Sequence, residues 1–258
     1  MDPAAPSLTV VVPCYNEAER LAEGPLLNFL DACDGASLLF VDDGSTDATA
    51  ARLGAIAAAR PERIAVTSLQ PNGGKAEAVR RGMREALERG AGLVGYLDAD
   101  LSTPPDELFR LRAAFERPGV EAVLGARVAL LGTDIERSAV RHYLGRIFAS
   151  LAAVILHARV YDTQCGAKLF RASPALDAAL ASPFLSRWAF DVELLGRLLA
   201  GSPAAPGLPL SAVVEVPLHT WHDVKGSKLG PLAMARTLAE LGRIGVDIAA
   251  RRRQGRSS

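Results

Sequence analysis

Leu38–Asp47, LLFVDDGSTD, and Gly92–Pro104, GLVGYLDADLSTP, each run an apolar stretch straight into a pair of carboxylates. Short apolar runs of this kind, β-branched or aromatic and closed by turn residues, read as strands buried on both faces of a parallel sheet. Asp42 and Asp43 follow the first run; Asp98 and Asp100 follow the second. In open α/β sheets, ligands bind beyond the carboxyl ends of the strands. Two acidic clusters at that edge suit a nucleotide accompanied by a divalent cation.

Outward from these two runs, strand and helix signals alternate. LTVVVP is a strand ending at Pro13, and Glu17–Leu30 carries a helical pattern. Ser37–Val41 is the next strand, and Asp47 is placed to N-cap an Ala-rich helix reaching Arg60. Ile64–Leu69 reads as a strand, Lys75–Arg89 as a helix and Leu93–Leu97 as a strand. Pro104–Pro105 opens a helix through Phe115, and Val120–Arg127 is a further strand. Ser138–His157 is helical, DTQCGAKLF is a turn entering a strand, and Phe190–Leu199 is helical. GSPAAPGLP is a loop, Ala212–Pro217 a short strand, and Leu232–Arg253 a closing helix. Such alternation implies βαβ units and a mostly parallel central sheet flanked by helices, an α/β fold with C-terminal helical elaboration. The expected organisation is one domain over 1–230, followed by an amphipathic helix and basic tail over 231–258.

Composition narrows the classes. The chain has 258 residues, 49% hydrophobic and 22% charged, which is globular. Zero formal net charge and 5% aromatic content argue against nucleic-acid binding through phosphates or stacked bases. Cys14, Cys33 and Cys165 lack zinc spacing and are odd in number, so free thiols and a cytoplasmic setting are expected. MDPAAPSLTVVVP lacks the basic start and apolar stretch of a signal peptide. No run approaches the roughly 20 apolar residues of a membrane span.

The chemistry sits in four blocks. In VVPCYNEAERL, Asn16 can hold a turn at the strand mouth, and Glu17 can accept from a ribose; an ordinary helix start explains both equally well. In VDDGSTD, a carboxylate just past a strand can accept from ribose hydroxyls or a base N–H, while Asp47 caps the next helix. Adjacent Asp42 and Asp43 point in different directions, so only one need face a nucleotide. In LDAD, Asp98 and Asp100 would share a face of a flat strand. Their hard oxygens suit Mg²⁺ or Mn²⁺, completed by diphosphate oxygens and water. PNGGKAEAVRRGM offers helix-start amides and Lys75, Arg80 and Arg81 to a diphosphate, or is a plain turn with solvated cations.

These blocks, in this order, resemble the family 2 glycosyltransferases of the GT-A (Rossmann-like) fold. DTQCGAKLFR, SRWAFDVELL and PLHTWHDVKGSKL are similar to the dolichyl-phosphate β-glucosyltransferase branch and its bacterial polyprenyl-phosphate relatives, from about Leu8 to Leu229. The resemblance implies an inverting, metal-dependent hexosyltransferase using a nucleotide sugar, with UDP-glucose favoured. It places Pro13, Tyr15, Asn16, Glu17, Asp42, Asp43, Gly74, Lys75, Asp98, Ala99, Asp100, Arg127 and Gln164 at the nucleotide sugar, and Asp98 and Asp100 at the metal. Asp100, Asp191, Arg141 and Lys168 are the implied catalytic set. Asp191 falls where hydroxyl-using members carry a base. One departure stands in the Gly-Lys block, where Ala76 replaces the family's usual glycine.

A lipid phosphate is already anionic and needs cations rather than a base. Arg137, Arg141, Lys225, Ser227 and Lys228 are the candidates to hold it, with Arg127 and Lys168 nearby in the reckoning. The alternatives are a soluble or glycan hydroxyl acceptor served by Asp191, and a non-catalytic nucleotide-sugar-binding protein. His219 and His222 flank Trp221 without a third zinc ligand, so packing or a lid is expected there. Ile147–Leu156 and the basic C-terminal helix are each readable as core or as peripheral membrane contact.

Overall fold

The structure, a computed structural model, describes residues 6–136, 139–222 and 231–254. Seven strands form one sheet: β1 (Leu8–Cys14), β2 (Ala36–Asp42), β3 (Ile64–Ser68), β4 (Leu93–Leu97), β5 (Ala122–Ala126), β7 (Ala167–Arg171) and β8 (Val213–Pro217). Between β5 and β7 in sequence lies the short β6 (Asp134–Glu136), which pairs in parallel with β9 (Thr220–His222) as a separate ribbon. The sheet order is β3-β2-β1-β4-β7-β5-β8. Every pairing in it is parallel except those of β7, which runs against both β4 and β5. Because β7 is reversed, the turn that enters it lies at the same edge as the carboxyl ends of the other strands. That is how DTQCG reaches the edge already marked by the aspartates.

Among the described residues, eight α-helices cover the two faces: α1 (Glu23–Ala32), α2 (Thr49–Ala59), α3 (Lys75–Glu88), α4 (Glu107–Ala113), α5 (Ala139–Leu156), α6 (Pro174–Leu180), α7 (Phe190–Ala200) and α8 (Pro231–Gln254). One apolar layer joins the sheet to α1, α2 and α4 through Leu26, Phe29, Leu53, Ile56, Leu108 and Leu111. The other joins it to α3 and α5–α8 through Val79, Met83, Ala152, Leu195, Ile244 and Ile248. Each fully buried Leu or Phe here contributes roughly 1.5–3 kcal/mol, so the C-terminal helix shares the main core rather than hanging from it.

Several expected boundaries shift. The first helix begins at Glu23, not Glu17, because residues 17–20 close into a turn with Arg20 and Leu21 amides on the Glu17 carbonyl. Asp47 does not occupy the N-cap of α2; Ala48 does, and Asp47 acts from one residue earlier by accepting the Thr49 amide at 2.9 Å. The helix after Pro104–Pro105 starts at Glu107 and tightens into a 3-10 turn at Ala114–Glu116. The ribbon β6/β9 and the helix α6 carry too few residues to show a period. All three cysteines are free and buried.

Candidate active site

The carboxyl ends of β1, β2 and β4, with the entry to β7, bound an acidic crevice where the strand order turns back beside β1. At the mouth of β1, Asn16 adopts a left-handed conformation, φ 53°. Its amide donates to Ser45 Oγ at 3.0 Å, and its Oδ1 accepts the Thr46 amide at 2.8 Å. Glu17 receives a two-pronged contact from Arg20, at 3.0 and 2.7 Å. Burial lifts the Glu17 carboxyl above its usual range, Asp100 and Asp47 push the same way, and Arg20 opposes them. Pro13 is the penultimate residue of β1, and Tyr15 leaves its ring half exposed at the crevice rim.

Asp42 and Asp43 are both buried and point to different partners. Asp42 Oδ1 accepts the Ser45 amide at 3.1 Å. Asp43 takes the amides of Gly73 and Gly74, at 2.8 and 2.7 Å, one on each oxygen. The glycine loop is therefore tied to the end of β2 by a carboxylate. Arg187 holds it from the other side, donating to the Gly73 carbonyl at 3.0 Å and Asn72 Oδ1 at 2.8 Å. Gly74 has φ 87°, and a Cβ there would meet Arg187 Nε at 2.5 Å, so only glycine suits the position. Arg187 went unnoticed in the sequence because the contact spans 114 residues.

The loop delivers Lys75 to the second acidic pair. Lys75 Nζ lies 2.6 Å from Asp98 Oδ1 as an ion pair. Although desolvation opposes it, the combined field of Asp98, Asp191 and Asp100 holds the Lys75 ammonium above its usual pKa. The flat-strand picture of Asp98 and Asp100 is corrected: β4 ends at Leu97, and both carboxylates, with buried Ala99 between them, lie in the turn beyond it. Leu101 takes φ 51°, and Asp100 Oδ1 accepts the Ser102 amide at 3.0 Å. Gly166 lies flush against this turn; a Cβ there would sit 2.2 Å from Asp98 Oδ2. Among the described residues, no three His, Cys, Asp or Glu side chains gather into a protein-only metal cluster.

Across the crevice, the charges hold one another. Asp191, at the start of α7, receives Lys168 Nζ on Oδ1 at 2.6 Å and the Tyr96 hydroxyl on the same oxygen. Lys168 also donates to the Cys165 carbonyl and lies over the Tyr96 ring at 5.2 Å. Burial and the Asp191 charge hold the Tyr96 phenol well above its ordinary pKa, and burial pushes the Cys165 thiol up to about 11. Arg127 grips Asp162 with Nε and Nη2, at 2.6 and 2.8 Å, and stacks over Trp221. Burial opposes the Arg127 charge, but Asp162 more than compensates. Gln164 continues from this clamp, its amide on Asp162 Oδ1 at 3.2 Å.

The structure thus brings Lys75, Asp98 and Asp191 together and joins Lys168 to Asp191. It commits Arg127 to Asp162, and it commits buried Arg80 to Glu77 and the Leu180 carbonyl rather than to the crevice. Arg81 is exposed on α3. Trp221 is buried packing, and His222 pairs with Asp134 at 3.3 Å. Arg137, Lys225, Ser227 and Lys228 lie outside the described residues, and of Arg141 only its place in α5 is described.

An α/β sheet with one reversed strand and acidic turns at its carboxyl edge is the architecture of the GT-A class. Glucosyl-3-phosphoglycerate synthase from Mycobacterium tuberculosis with bound UDP superposes with a TM-score of 0.69 at 21% identity, covering 94% of this chain and 81% of that one. The same enzyme with Mn²⁺, UDP-glucose and phosphoglyceric acid gives 0.68 at 20% identity, covering 94% and 81%. The profile of "Glycosyl transferase family 2" matches residues 9–176. The chain belongs to glycosyltransferase family 2. It is 35% identical to dolichyl-phosphate beta-glucosyltransferase of Drosophila melanogaster, over 90% of this chain and 73% of that protein. It is 29% identical to polyprenol monophosphomannose synthase of Mycolicibacterium smegmatis, over 81% and 75%.

Proposed function

We propose that this glycosyltransferase moves a hexose from a nucleotide sugar to a polyprenyl phosphate with inversion, and that UDP-glucose is its donor. The observation that carries the reading is the clamp on Asp191. A hydroxyl acceptor needs a carboxylate free to take its proton. Asp191 is buried, and one of its oxygens already receives both Lys168 and Tyr96. A phosphate acceptor needs no such base. Its oxygen attacks the anomeric carbon, the bond from that carbon to the diphosphate oxygen breaks, and the nucleoside diphosphate leaves with the electron pair. The similarity to dolichyl-phosphate beta-glucosyltransferase and to polyprenol monophosphomannose synthase supports the same acceptor class.

Asp42, Glu17 and Tyr15 line the nucleotide end of this reading, and Lys75 with the Gly73–Gly74 loop the diphosphate end. Asp98 and Asp100 would hold Mg²⁺ or Mn²⁺; two hard carboxylates in a turn fit such an ion when the diphosphate and water complete its shell. An ion held by Asp98 and Asp100 would supply positive charge to offset that of the departing diphosphate. Strands β6 and β9 end side by side at Glu136 and His222, where the segments bearing Arg137 and Lys225–Lys228 begin; these cations are the proposed grip on the acceptor phosphate. No described helix is long and apolar enough to cross a membrane, and the proposed place of action is peripheral, at the cytoplasmic membrane face.

The test is a panel of labelled nucleotide sugars with short polyprenyl phosphate and Mg²⁺ or Mn²⁺, counting label extracted into the organic phase. Label from UDP-glucose alone is the expected result. Label that stays in water, with nucleoside diphosphate released, overturns the lipid acceptor and keeps the transferase.

A further inference from the structure

The turn between β5 and β6 carries the most exposed large apolar residue described: Leu131 is 105% exposed and its neighbour Leu130 53%. Scattered surface leucines are ordinary, but an adjacent pair at a loop tip is not. Nor is the exposure a sign of a loose loop. Thr133 closes the turn on Leu130 three times: its amide reaches the Leu130 carbonyl at 3.1 Å, its hydroxyl donates there at 2.8 Å, and the Leu130 amide donates to Oγ1 at 2.9 Å. Gly132 supplies the φ of 85° that the tight tip needs.

Both feet of the loop stand on the site. The first is Arg127, locked to Asp162 in the segment that enters β7. The second is β6: the Asp134 amide donates to the His219 carbonyl at 2.7 Å, and β6 pairs with β9. In β9 the His222 amide bonds the Ser102 carbonyl at 3.0 Å, next to the amide that holds Asp100. A leucine pair is thus presented at a fixed offset from the acidic crevice, on the wall where the acceptor-side segments begin.

We infer that the Leu130–Leu131 tip inserts into the lipid bilayer and seats the crevice over the acceptor. The inference rests on the reading of the acceptor as a polyprenyl phosphate, which resides in a bilayer. It assigns the membrane contact to a loop rather than to α5 or α8. Among the described side chains of those helices, Ala149, Ala152, Leu156, Leu241, Ile244 and Ile248 turn into the core, and Leu151, Val154 and Val246 are the large apolar groups left outside.

The experiment floats the full chain and its Leu130→Ser/Leu131→Ser variant on phosphatidylcholine vesicles containing phosphatidylglycerol, without donor or acceptor. The wild-type chain is expected to float, and the double variant to lose about tenfold or more in vesicle affinity, from the apolar area withdrawn. A Leu130→Phe/Leu131→Phe variant is expected to float like wild type. Equal flotation by the serine variant overturns the inference, as does wild type that does not float. A concentration-dependent dimer that the serine variant abolishes, with no vesicle binding, assigns the tip to a second copy and also overturns it. In turnover assays, the serine variant is expected to lose transfer to long-chain acceptor in vesicles while keeping transfer to a short, dispersed prenyl phosphate. Flotation without transfer to either acceptor would overturn the proposed acceptor and leave the insertion standing.

Discussion

The two sides of the crevice are built by different means. On the β1–β2–β4 side, carboxylates are cradled by backbone amides: Asp42 by Ser45 and Asp100 by Ser102 within their own turns, Asp43 by Gly73 and Gly74 from a loop 30 residues on. On the β5–β7 side, side chains hold one another: Arg127 with Asp162 and Lys168 with Asp191, with the Tyr96 hydroxyl of β4 joining Asp191. Amide-cradled carboxylates leave lone pairs for a ligand. Mutually paired groups are spent on each other and fix the wall's shape. The first side is built to bind charge, the second to place groups.

Substitutions on the two sides therefore differ in what they break. Asp100→Asn keeps the Oδ1 acceptor for Ser102, so thermal unfolding should be unchanged while transfer falls by about a hundredfold or more; full activity in steady-state assays would remove Asp100 from the chemistry. Gly166→Ala forces a Cβ against the Asp98 carboxylate, and a displacement of about 1 Å there should cost up to a hundredfold in kcat/KM. Wild-type kinetics in that variant would mean Asp98 need not stand where it does.

Stability sharpens the contrast. Asp162→Ala removes the two-pronged carboxylate contact from the largely buried Arg127 guanidinium and should cost about 3–5 kcal/mol in urea unfolding. Asp43→Asn loses one charge-assisted bond to the glycine loop and should cost about 1.5–3 kcal/mol. The reverse order would erase the distinction between the two sides. The smallest expected effect is that of exposed Arg187→Ala, which frees one side of the glycine loop and should raise donor KM a few-fold with kcat little altered.

The same difference explains what could be read from sequence. Much of the amide-cradled side is local: for Asp42 and Asp100, VDDGSTD and LDADLSTP contain the strand end, the carboxylate and the turn that holds it, whereas the glycine loop on Asp43 lies 30 residues away. Alternating strands and helices gave the mostly parallel sheet for the same reason, since each βαβ unit is contiguous. The paired side is not local. Nothing in AKLFR announces that β7 runs antiparallel, because an apolar run looks alike in either direction. Lys168 and Asp191 each read as a free catalytic group until the fold joins them, and Arg127 reads as a phosphate cation until Asp162 is found 35 residues away. The β6/β9 ribbon, three residues per strand, has too little length for any period to register.

The central claim is that the crevice transfers sugar to an acceptor that needs no base. The most direct measurement compares initial rates with a polyprenyl phosphate and with the matching polyprenol, at equal concentration and with the same UDP-sugar and divalent ion. The account predicts a glycosylated product from the phosphate alone. Transfer to the alcohol at a comparable rate would contradict it, and would return Asp191 to the role of general base.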